Sequence, residues 1–149
     1  MAHTHSATFF HCVFSTKERL NSIPSDLKLK LWDYIGGIAK QNGMRSLRVG
    51  GTKNHVHIAL HVPAAMTVAK AMQLIKAGSS KWLNEHPRSA RFEWQEGYGA
   101  FSIGVSRLDA TVAYIDAQEE HHRKRTFEEE YVSFLKRHGI EYDERYVLG

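Results

Sequence analysis

Residues 54–60 of the chain read Asn-His-Val-His-Ile-Ala-Leu, and this short stretch predicts both a strand and a candidate site. Polar or small residues alternate with apolar ones. This period of two residues is typical of a β-strand, because successive side chains of a strand point to opposite faces. His55 and His57 therefore share one face, with Cα atoms about 6.5 Å apart, close enough for both imidazoles to bind one metal ion. A His-x-His pair alone is more often part of a solvated strand than a metal site, so its meaning depends on the rest of the sequence.

The composition is that of a globular protein with a hydrophobic core. Of the 149 residues, 42% are hydrophobic and 11% are aromatic, which excludes a disordered chain. No apolar run is long enough for a membrane span, and the N-terminal residues lack the apolar core of a signal peptide. The single cysteine, Cys12, fits a reducing compartment, and the net charge of +4 permits nucleic-acid binding. We therefore expect a cytoplasmic protein with one domain over residues 1–149.

Hydrophobic periodicity predicts four further strand-like segments and four helices. The strand-like segments are rich in aromatic and β-branched residues, and they are 7–16, 45–49, 92–95 and 98–105, beside the histidine strand at 55–62. The helices have apolar residues three or four positions apart, and they are 24–41, 67–86, 106–122 and 126–138. Ser106–Asp109 and Thr126–Glu129 have the pattern of capping boxes at the starts of the last two helices. Residues 140–149 are predicted to be a tail anchored by Tyr142, Tyr146 and Val147.

This order of elements predicts an α+β fold. The order strand, helix, strand, strand, helix, strand is the split β-α-β pattern of a ferredoxin-like sandwich, with an antiparallel sheet and two helices packed on one face. The core is expected over residues 7–105, followed by two C-terminal helices in residues 106–149. The His-x-His strand would be central, with His55 and His57 on the face that the two packed helices leave free.

The predicted third helix places further polar side chains along one edge. At 100° per residue, Gln118 lies about 40° and His121 about 20° from Tyr114 around the helix axis. The apolar residues of this helix form a separate stripe that contains Leu108, Val112 and Ile115. Tyr114 therefore lies off the apolar side, as expected for a functional tyrosine, although a surface tyrosine packed against a neighbour would give the same pattern.

Taken together, these residues resemble a known family. His55-Val56-His57 resembles the HUH motif (His, hydrophobic residue, His) of the single-tyrosine transposases of small bacterial insertion sequences, the IS200-like family. Tyr114-Ile115-Asp116-Ala117-Gln118 resembles the Tyr-Ile-x-x-Gln motif of that family. Other blocks are similar to the family or to its branch associated with repetitive extragenic palindromes (REP), and they are 15–19 (STKER), 94–102 (WQEGYGAFS), 120–122 (EHH) and 127–131 (FEEEY). The resemblance covers nearly the whole chain in the expected order.

The resemblance implies a specific chemistry. Tyr114 would attack a DNA phosphate, form a 5′-phosphotyrosine and release a 3′-OH, and the ester would keep the phosphodiester energy for rejoining. His55, His57 and Gln118 would bind a divalent ion, Mg²⁺ or Mn²⁺, that polarises the scissile phosphate. A tyrosine with its usual pKa near 10 needs activation. The metal or a base such as His121 would supply it, and we hypothesise that His121 supports the site from outside the metal ligands.

The resemblance also implies partners. They are single-stranded DNA with imperfect hairpins near the ends of an element, and a second copy of the chain. In the homodimer, the tyrosine helix of one subunit would complete the active site of the other. Such a protein would work in the cytoplasm, in association with the nucleoid. We predict that Lys17, Arg19 and Lys53 contact DNA, because DNA must approach the strand ends near the His-x-His strand.

Three other interpretations fit the sequence. A domesticated single-strand nuclease would keep the same chemistry without moving its own gene. A non-catalytic ferredoxin-like nucleic-acid-binding protein would use an aromatic sheet face. Base stacking by Trp94, Tyr98 and Phe101 and packing of the same residues within the sheet and the dimer interface are both open at this point. A metal-binding structural protein would tolerate Tyr114→Phe without loss of any activity.

His11 and His61 are interpreted as polar residues of half-exposed strands.

Overall fold

The computed structural model of the chain describes residues 3–87 and 90–149, so residues 1–2 and 88–89 of the predicted domain lie outside the described part. Within it, four strands form one antiparallel sheet in the order β2-β3-β1-β4. The strands are β1 (Phe9–Ser15), β2 (Arg45–Gly51), β3 (His55–His61) and β4 (Gly99–Ile103). The helices are α1 (Lys28–Gln41), α2 (Val68–Asn84), α3 (Leu108–Asp116), α4 (Gln118–His121) and α5 (Phe127–Arg137). The predicted ferredoxin-like α+β arrangement is confirmed, with β1 and β3 in the centre.

The two faces of β3 have different neighbours. Val56, Ile58 and Leu60 are fully buried in a core that includes the apolar sides of α1 and α2. His55 and His57 point to the opposite face, because successive side chains of a strand alternate. This second face is not open to solvent: a separate hydrophobic cluster, built largely from α5, covers it. The strand therefore buries its histidines between the sheet and the C-terminal part of the chain.

The predicted third helix is divided in two by a break at Ala117. α3 ends at Asp116 and α4 begins at Gln118, because Ala117 leaves the helical range with φ −96° and ψ 16°. Its backbone N–H bonds to the carbonyls of both Ala113 and Tyr114 at 3.2 Å, a shared hydrogen bond that is common at helix ends. Three helices therefore follow the sheet, where the sequence predicted two.

One of the two predicted capping boxes is correct. At Thr126, the hydroxyl accepts a hydrogen bond from the Glu129 N–H at 3.2 Å, and the Glu129 carboxylate accepts one from the Thr126 N–H at 3.0 Å. The box predicted at Ser106–Asp109 is wrong. A 3₁₀ turn over Val105–Arg107 precedes α3, and the side chain of Arg107, the residue before the helix, makes no capping hydrogen bond. The backbone of the turn leads into α3 instead.

Two predicted segments are shorter in the structure. α1 begins at Lys28, because residues 25–27 form a turn first. Residues 92–95 contribute one isolated bridge, between Trp94 and Thr16, rather than a strand. In the described part of the chain, no helix combines the length and the apolar character that crossing a membrane requires.

The tail is anchored mainly as predicted. Tyr142 and Val147 pack against the hydrophobic cluster of α5, whereas Tyr146 is 70% exposed and is not an anchor. The carbonyl of Leu148 accepts hydrogen bonds from Arg19 Nη1 at 3.0 Å and from Gln95 Nε2 at 3.1 Å. The end of the chain therefore lies against the segment that follows β1.

The hairpin between β2 and β3 requires glycine at position 51. A Cβ atom on Gly51 would lie 2.2 Å from the carbonyl oxygen of His55 and 2.9 Å from Cα of Val56. We expect Gly51→Ala to lower the free energy of unfolding by more than about 2 kcal/mol, because the hairpin backbone must move. Urea unfolding followed by circular dichroism measures the change.

Gly37 in α1 provides the matched control for this substitution. No heavy atom lies within 4 Å of a Cβ at this position. Gly37→Ala should raise the free energy of unfolding by about 0.5–1 kcal/mol, since alanine favours the helix. Equal effects of the two substitutions would contradict the close backbone approach at Gly51.

Candidate active site

A cluster of polar side chains lies between the sheet and the C-terminal helices. Its buried members come from β1, β3, α4 and α5, and they are His11, His55, His57, Gln118 and Glu130. Tyr114 and His122 are half-buried at its edge. Buried polar groups are retained in proteins when they have hydrogen-bond partners or bind an ion, so the contacts within the cluster indicate what it can do.

Glu130 is the centre of the cluster. Its Oε1 lies 3.0 Å from His57 Nε2 and 3.1 Å from His122 Nε2. Its Oε2 accepts a hydrogen bond from the Tyr114 hydroxyl and another, at 3.1 Å, from Gln118 Nε2. Burial acts to raise the pKa of Glu130, but the hydrogen bonds from His122, His57 and Tyr114 prevail and hold this pKa well below its usual range. Glu130 is therefore an ionised carboxylate that contacts four side chains.

The Nδ1 atoms of His55 and His57 both have close polar neighbours. His55 Nδ1 lies 2.8 Å from Asn54 Oδ1 and 2.9 Å from Thr52 Oγ1, and His57 Nδ1 lies 2.7 Å from His11 Nε2. If His55 bound a metal through Nε2, its ring proton would lie on Nδ1, where Asn54 Oδ1 can accept it. Histidines that bind metals commonly have such a partner on the other ring nitrogen.

Four side chains of the cluster offer a set of metal ligands. One donor atom each from His55, His57, His122 and Glu130 lies within 4.8 Å of all the others. Burial, followed by the neighbouring His57, lowers the pKa of His55 to about 3, so this ring is neutral at pH 7 and can bind a metal. Imidazole and carboxylate groups are ligands for divalent transition metals. The residues present therefore fit a divalent cation.

Tyr114 places its hydroxyl beside these ligands. The hydroxyl donates a hydrogen bond to Glu130 and accepts one from Arg125 Nη2 at 3.0 Å, and the ring centroid lies 5.9 Å from that of His57. Burial, followed by the hydrogen bond to Glu130, raises the pKa of Tyr114 to about 12, while Arg125 acts in the opposite direction. The arrangement is a neutral phenol held between a carboxylate and a guanidinium.

The structure brings all the predicted metal and nucleophile residues together. Gln118 Oε1 lies 2.8 Å from His55 Nε2, so the amide reaches the donor atoms that the sequence paired with it. His121 lies against Tyr114 instead, with the two rings stacked at a centroid distance of 4.5 Å. Its role as a supporting residue stays a hypothesis.

The interpretation of His11 as a half-exposed strand residue is wrong. His11 is 6% exposed, and its ring lies 5.0 Å from that of Phe134 as well as contacting His57. The reason is that α5 covers the sheet face on which His11 lies, a contact between segments far apart in sequence.

The sequence interpretation also missed Glu130 and His122 as candidate ligands. A signal for Glu130 was present, because it lies on the same side of the predicted helix as Phe127, Tyr131 and Phe134. A glutamate on an apolar helix face has to find a partner in the interior. His122 gives no comparable signal, since two adjacent histidines at a helix end are common on protein surfaces.

The basic residues that were predicted to contact DNA have different environments. Lys17 pairs with Glu93 at 3.1 Å, and Arg19 donates to the carbonyl of Leu148. Lys53 is exposed. Arg19 and Lys53 line an open cleft of about 810 Å³ that extends to His122. Contact of these three residues with DNA stays a prediction.

Two of the three aromatic residues considered for base stacking are buried within the protein. Trp94 is 8% exposed and donates from Nε1 to Ser79 Oγ at 3.0 Å. Phe101 is 3% exposed and stacks on Phe134 at a centroid distance of 5.3 Å. These contacts argue against a nucleic-acid-binding protein that uses an open aromatic sheet face.

The buried histidines predict acid-sensitive stability of the metal-free protein. Burial lowers the pKa of His55 from 6.5 to about 3, and burial and the neighbouring His57 also lower that of His11. The unfolded chain therefore binds more protons below pH 6.5, and the free energy of unfolding falls with the pH. His55 alone should contribute a loss of about 1.5 kcal/mol between pH 6.5 and about 5, and Glu130 a further loss below its unfolded pKa.

Urea unfolding in the presence of a chelator at several pH values tests this expectation. His55→Gln removes one of the titrating groups, so the variant should show a shallower decline than the wild type. Equal slopes for the two proteins would contradict a neutral, buried His55.

Comparison with known sequences points to one family. The family model described as "Transposase IS200 like" matches residues 4–118. The transposase for insertion sequence element IS200 of Salmonella typhimurium is 24% identical over 110 residues, which cover 70% of this chain and 72% of that protein. The corresponding protein of Salmonella typhi gives the same values.

Two solved structures share the fold. A putative transposase from Deinococcus radiodurans R1 matches with a TM-score of 0.60 and 18% identity, over 79% of this chain and 96% of that one. A REP-associated tyrosine transposase bound to a REP hairpin matches with a TM-score of 0.61 and 12% identity, over 82% of this chain and 74% of that one. At these identities the likeness concerns the fold.

Proposed function

The chain belongs to the IS200-like transposase family, and on that premise we propose that it cleaves and rejoins single-stranded DNA through a covalent bond to Tyr114. The observation that carries the proposal is the position of the Tyr114 hydroxyl. It is hydrogen-bonded to Glu130, whose other oxygen contacts His57 and His122. The proposed nucleophile and the proposed metal ligands thus adjoin in one cluster, as covalent phosphoryl transfer requires.

The chemistry follows from these positions. His55 and His57, with Gln118 beside them, would hold a divalent ion, Mg²⁺ or Mn²⁺, and the bound ion would supply Lewis-acid polarisation of the scissile phosphate. The Tyr114 hydroxyl gives up its proton and its oxygen forms the new bond to phosphorus, while the bond to the 3′ oxygen breaks and this oxygen takes up a proton to leave as the 3′-OH. The Arg125 guanidinium, 3.0 Å from the phenolic oxygen, is within reach of the phosphate under attack and can stabilise its charge. Attack by a 3′-OH on the tyrosyl ester reverses the step and rejoins the strand.

The proposed partners are DNA hairpins and a second copy of the chain. The REP-associated tyrosine transposase of the same fold is bound to a hairpin, which supports hairpin recognition by this chain. The proposal of a homodimer is based on the family resemblance alone. Mixing Tyr114→Phe with His57→Ala tests the shared site: recovery of cleavage would mean that one subunit supplies the tyrosine to the other. Continued inactivity would mean that each chain completes its own site.

The experiment uses fluorescent single-stranded DNA from the flanks of the gene, with and without Mn²⁺, resolved on a denaturing gel. We expect a covalently shifted band that requires the metal, and no such band with the same DNA as a duplex. Transfer to a second strand with a 3′-OH distinguishes a transposase from a domesticated nuclease. Binding of several flanking hairpins without any adduct would contradict the proposal and favour a non-catalytic DNA-binding protein.

A further inference from the structure

We infer that Glu130 and His122 complete the metal centre of this chain, and that Glu130 connects this centre to the Tyr114 hydroxyl. The inference deepens the proposed function and rests on it. It adds two ligands, from α5 and from the residue after α4, to the histidine pair of β3. The carboxylate would then have two roles, because each of its oxygens contacts a different part of the site.

The positions of the donor atoms support one shared centre. Ligands bonded at about 2.0–2.2 Å to a single ion lie about 3–4 Å from one another. Glu130 Oε1 lies 3.0 Å from His57 Nε2, 3.1 Å from His122 Nε2 and 3.8 Å from His55 Nε2. The carboxylate oxygen is therefore already at the separations that ligands of one ion have from each other, and all four donor atoms lie within 4.8 Å of one another. This cluster differs from an acidic cluster on a protein surface, because the side chains of Glu130, His55 and His57 have no exposed surface.

The charge of Glu130 also favours a cation at this point. An ionised carboxylate without exposure is costly unless positive charge and hydrogen bonds compensate it. The groups around Oε1 are the imidazoles of His57, His122 and His55, with nitrogen atoms 3.0, 3.1 and 3.8 Å away. A divalent cation among these nitrogens would provide the missing charge. When His57 Nε2 binds it, the Nδ1 proton can be donated to His11 Nε2, 2.7 Å away.

The second oxygen of Glu130 links the centre to the nucleophile. Oε2 accepts hydrogen bonds from the Tyr114 hydroxyl and from Gln118 Nε2. One rigid carboxylate thus fixes the distance between the phenolic oxygen and the histidines. Three imidazoles and a carboxylate suit Mn²⁺, Co²⁺ or Zn²⁺ better than Mg²⁺, which prefers oxygen ligands. The inference therefore favours Mn²⁺ over Mg²⁺ as the metal of this site.

Cobalt titration of the full-length protein tests the inference without DNA. Glu130→Gln and His122→Gln should each weaken Co²⁺ binding by more than about 100-fold, because loss of an outer partner alone costs about 10- to 100-fold. The matched controls are Glu128→Gln, an exposed residue of the same helix, and His61→Gln, at the end of β3 where it contacts the carbonyl of Ser6. The controls should bind Co²⁺ within about twofold of the wild type, since neither residue belongs to the donor set.

A ligand exchange separates direct binding from a structural effect. In His122→Cys, a thiolate bound to Co²⁺ should give a charge-transfer absorption band in the near ultraviolet, whereas His121→Cys should give none. This signature depends on contact with the metal and not on stability. The inference is overturned if the wild type binds no Co²⁺, if His122→Cys lacks the band, or if Glu130→Gln binds Co²⁺ as the wild type does.

The outcomes for the inference and for the proposed function can be told apart. Tight Co²⁺ binding that depends on Glu130, without any covalent DNA adduct, would support the metal centre and contradict the transposase chemistry. Metal-dependent adduct formation by the wild type, with unchanged Co²⁺ affinity in Glu130→Gln, would contradict the inference alone.

Discussion

Replacing Tyr114 with phenylalanine should abolish the covalent protein–DNA product and lower strand cleavage by at least about 10³-fold, because phenylalanine has no atom that can form the phosphate ester. The ring contacts with His57 and His121 can be kept by phenylalanine. Glu130 also keeps the hydrogen bond from Gln118. The free energy of unfolding should therefore change by no more than about 1–2 kcal/mol. Single-turnover assays on a denaturing gel measure the rate.

Tyr131→Phe is the matched control, since it removes the same hydroxyl from a buried tyrosine of α5. Its cleavage rate should stay within about twofold of the wild type, because Tyr131 lies outside the cluster around Glu130. Covalent adduct formed by Tyr114→Phe at the wild-type rate would show that another residue is the nucleophile.

Replacing His57 with alanine should have an effect of similar size on cleavage and an additional effect on metal binding. His57 Nε2 faces Glu130, and His57 Nδ1 faces His11, so the substitution removes a proposed ligand and a partner of two buried groups. We expect at least about a 10³-fold loss of cleavage and a loss of about 1–3 kcal/mol in the free energy of unfolding. A Mn²⁺ titration of cleavage measures the first effect.

His61→Ala provides the comparison within the same strand. His61 lies at the end of β3 and contacts the carbonyl of Ser6 at 3.3 Å, away from the cluster. Its substitution should leave the Mn²⁺ dependence unchanged. Cleavage by His57→Ala with the wild-type Mn²⁺ dependence would contradict the assignment of His57 as a ligand.

The fold was predictable where it depends on local periodicity. The alternation in residues 54–60 identified β3, and the order of strands and helices predicted that β3 and β1 are central. The break at Ala117 was not predictable in this way, because residues 106–122 have the pattern of one helix. Tertiary packing of the chain over the sheet decides where that helix ends, and the sequence pattern contains no Gly or Pro there.

The site was predictable only in part, for a physical reason. His55 and His57 are neighbours because alternate residues of one strand share a face. Tyr114 and Gln118 are close to each other because they are only four residues apart in the chain. Glu130 reaches His57 across 73 residues, and His11 reaches it across 46. Glu130 follows two exposed glutamates, so the local sequence resembles the solvated first turn of a helix. Only the packing of α5 against the sheet distinguishes it from them.

Mass spectrometry of the covalent adduct tests the central claim most directly. Trypsin should release residues 108–123 as one peptide that contains Tyr114 as its single tyrosine, because no Lys or Arg lies between Arg107 and Arg123. After reaction with single-stranded flanking DNA and Mn²⁺ and digestion of the DNA, we expect a nucleotide joined through its 5′-phosphate to Tyr114 in this peptide. Cleaved DNA together with an unmodified peptide, or a nucleotide on another residue, would contradict the account.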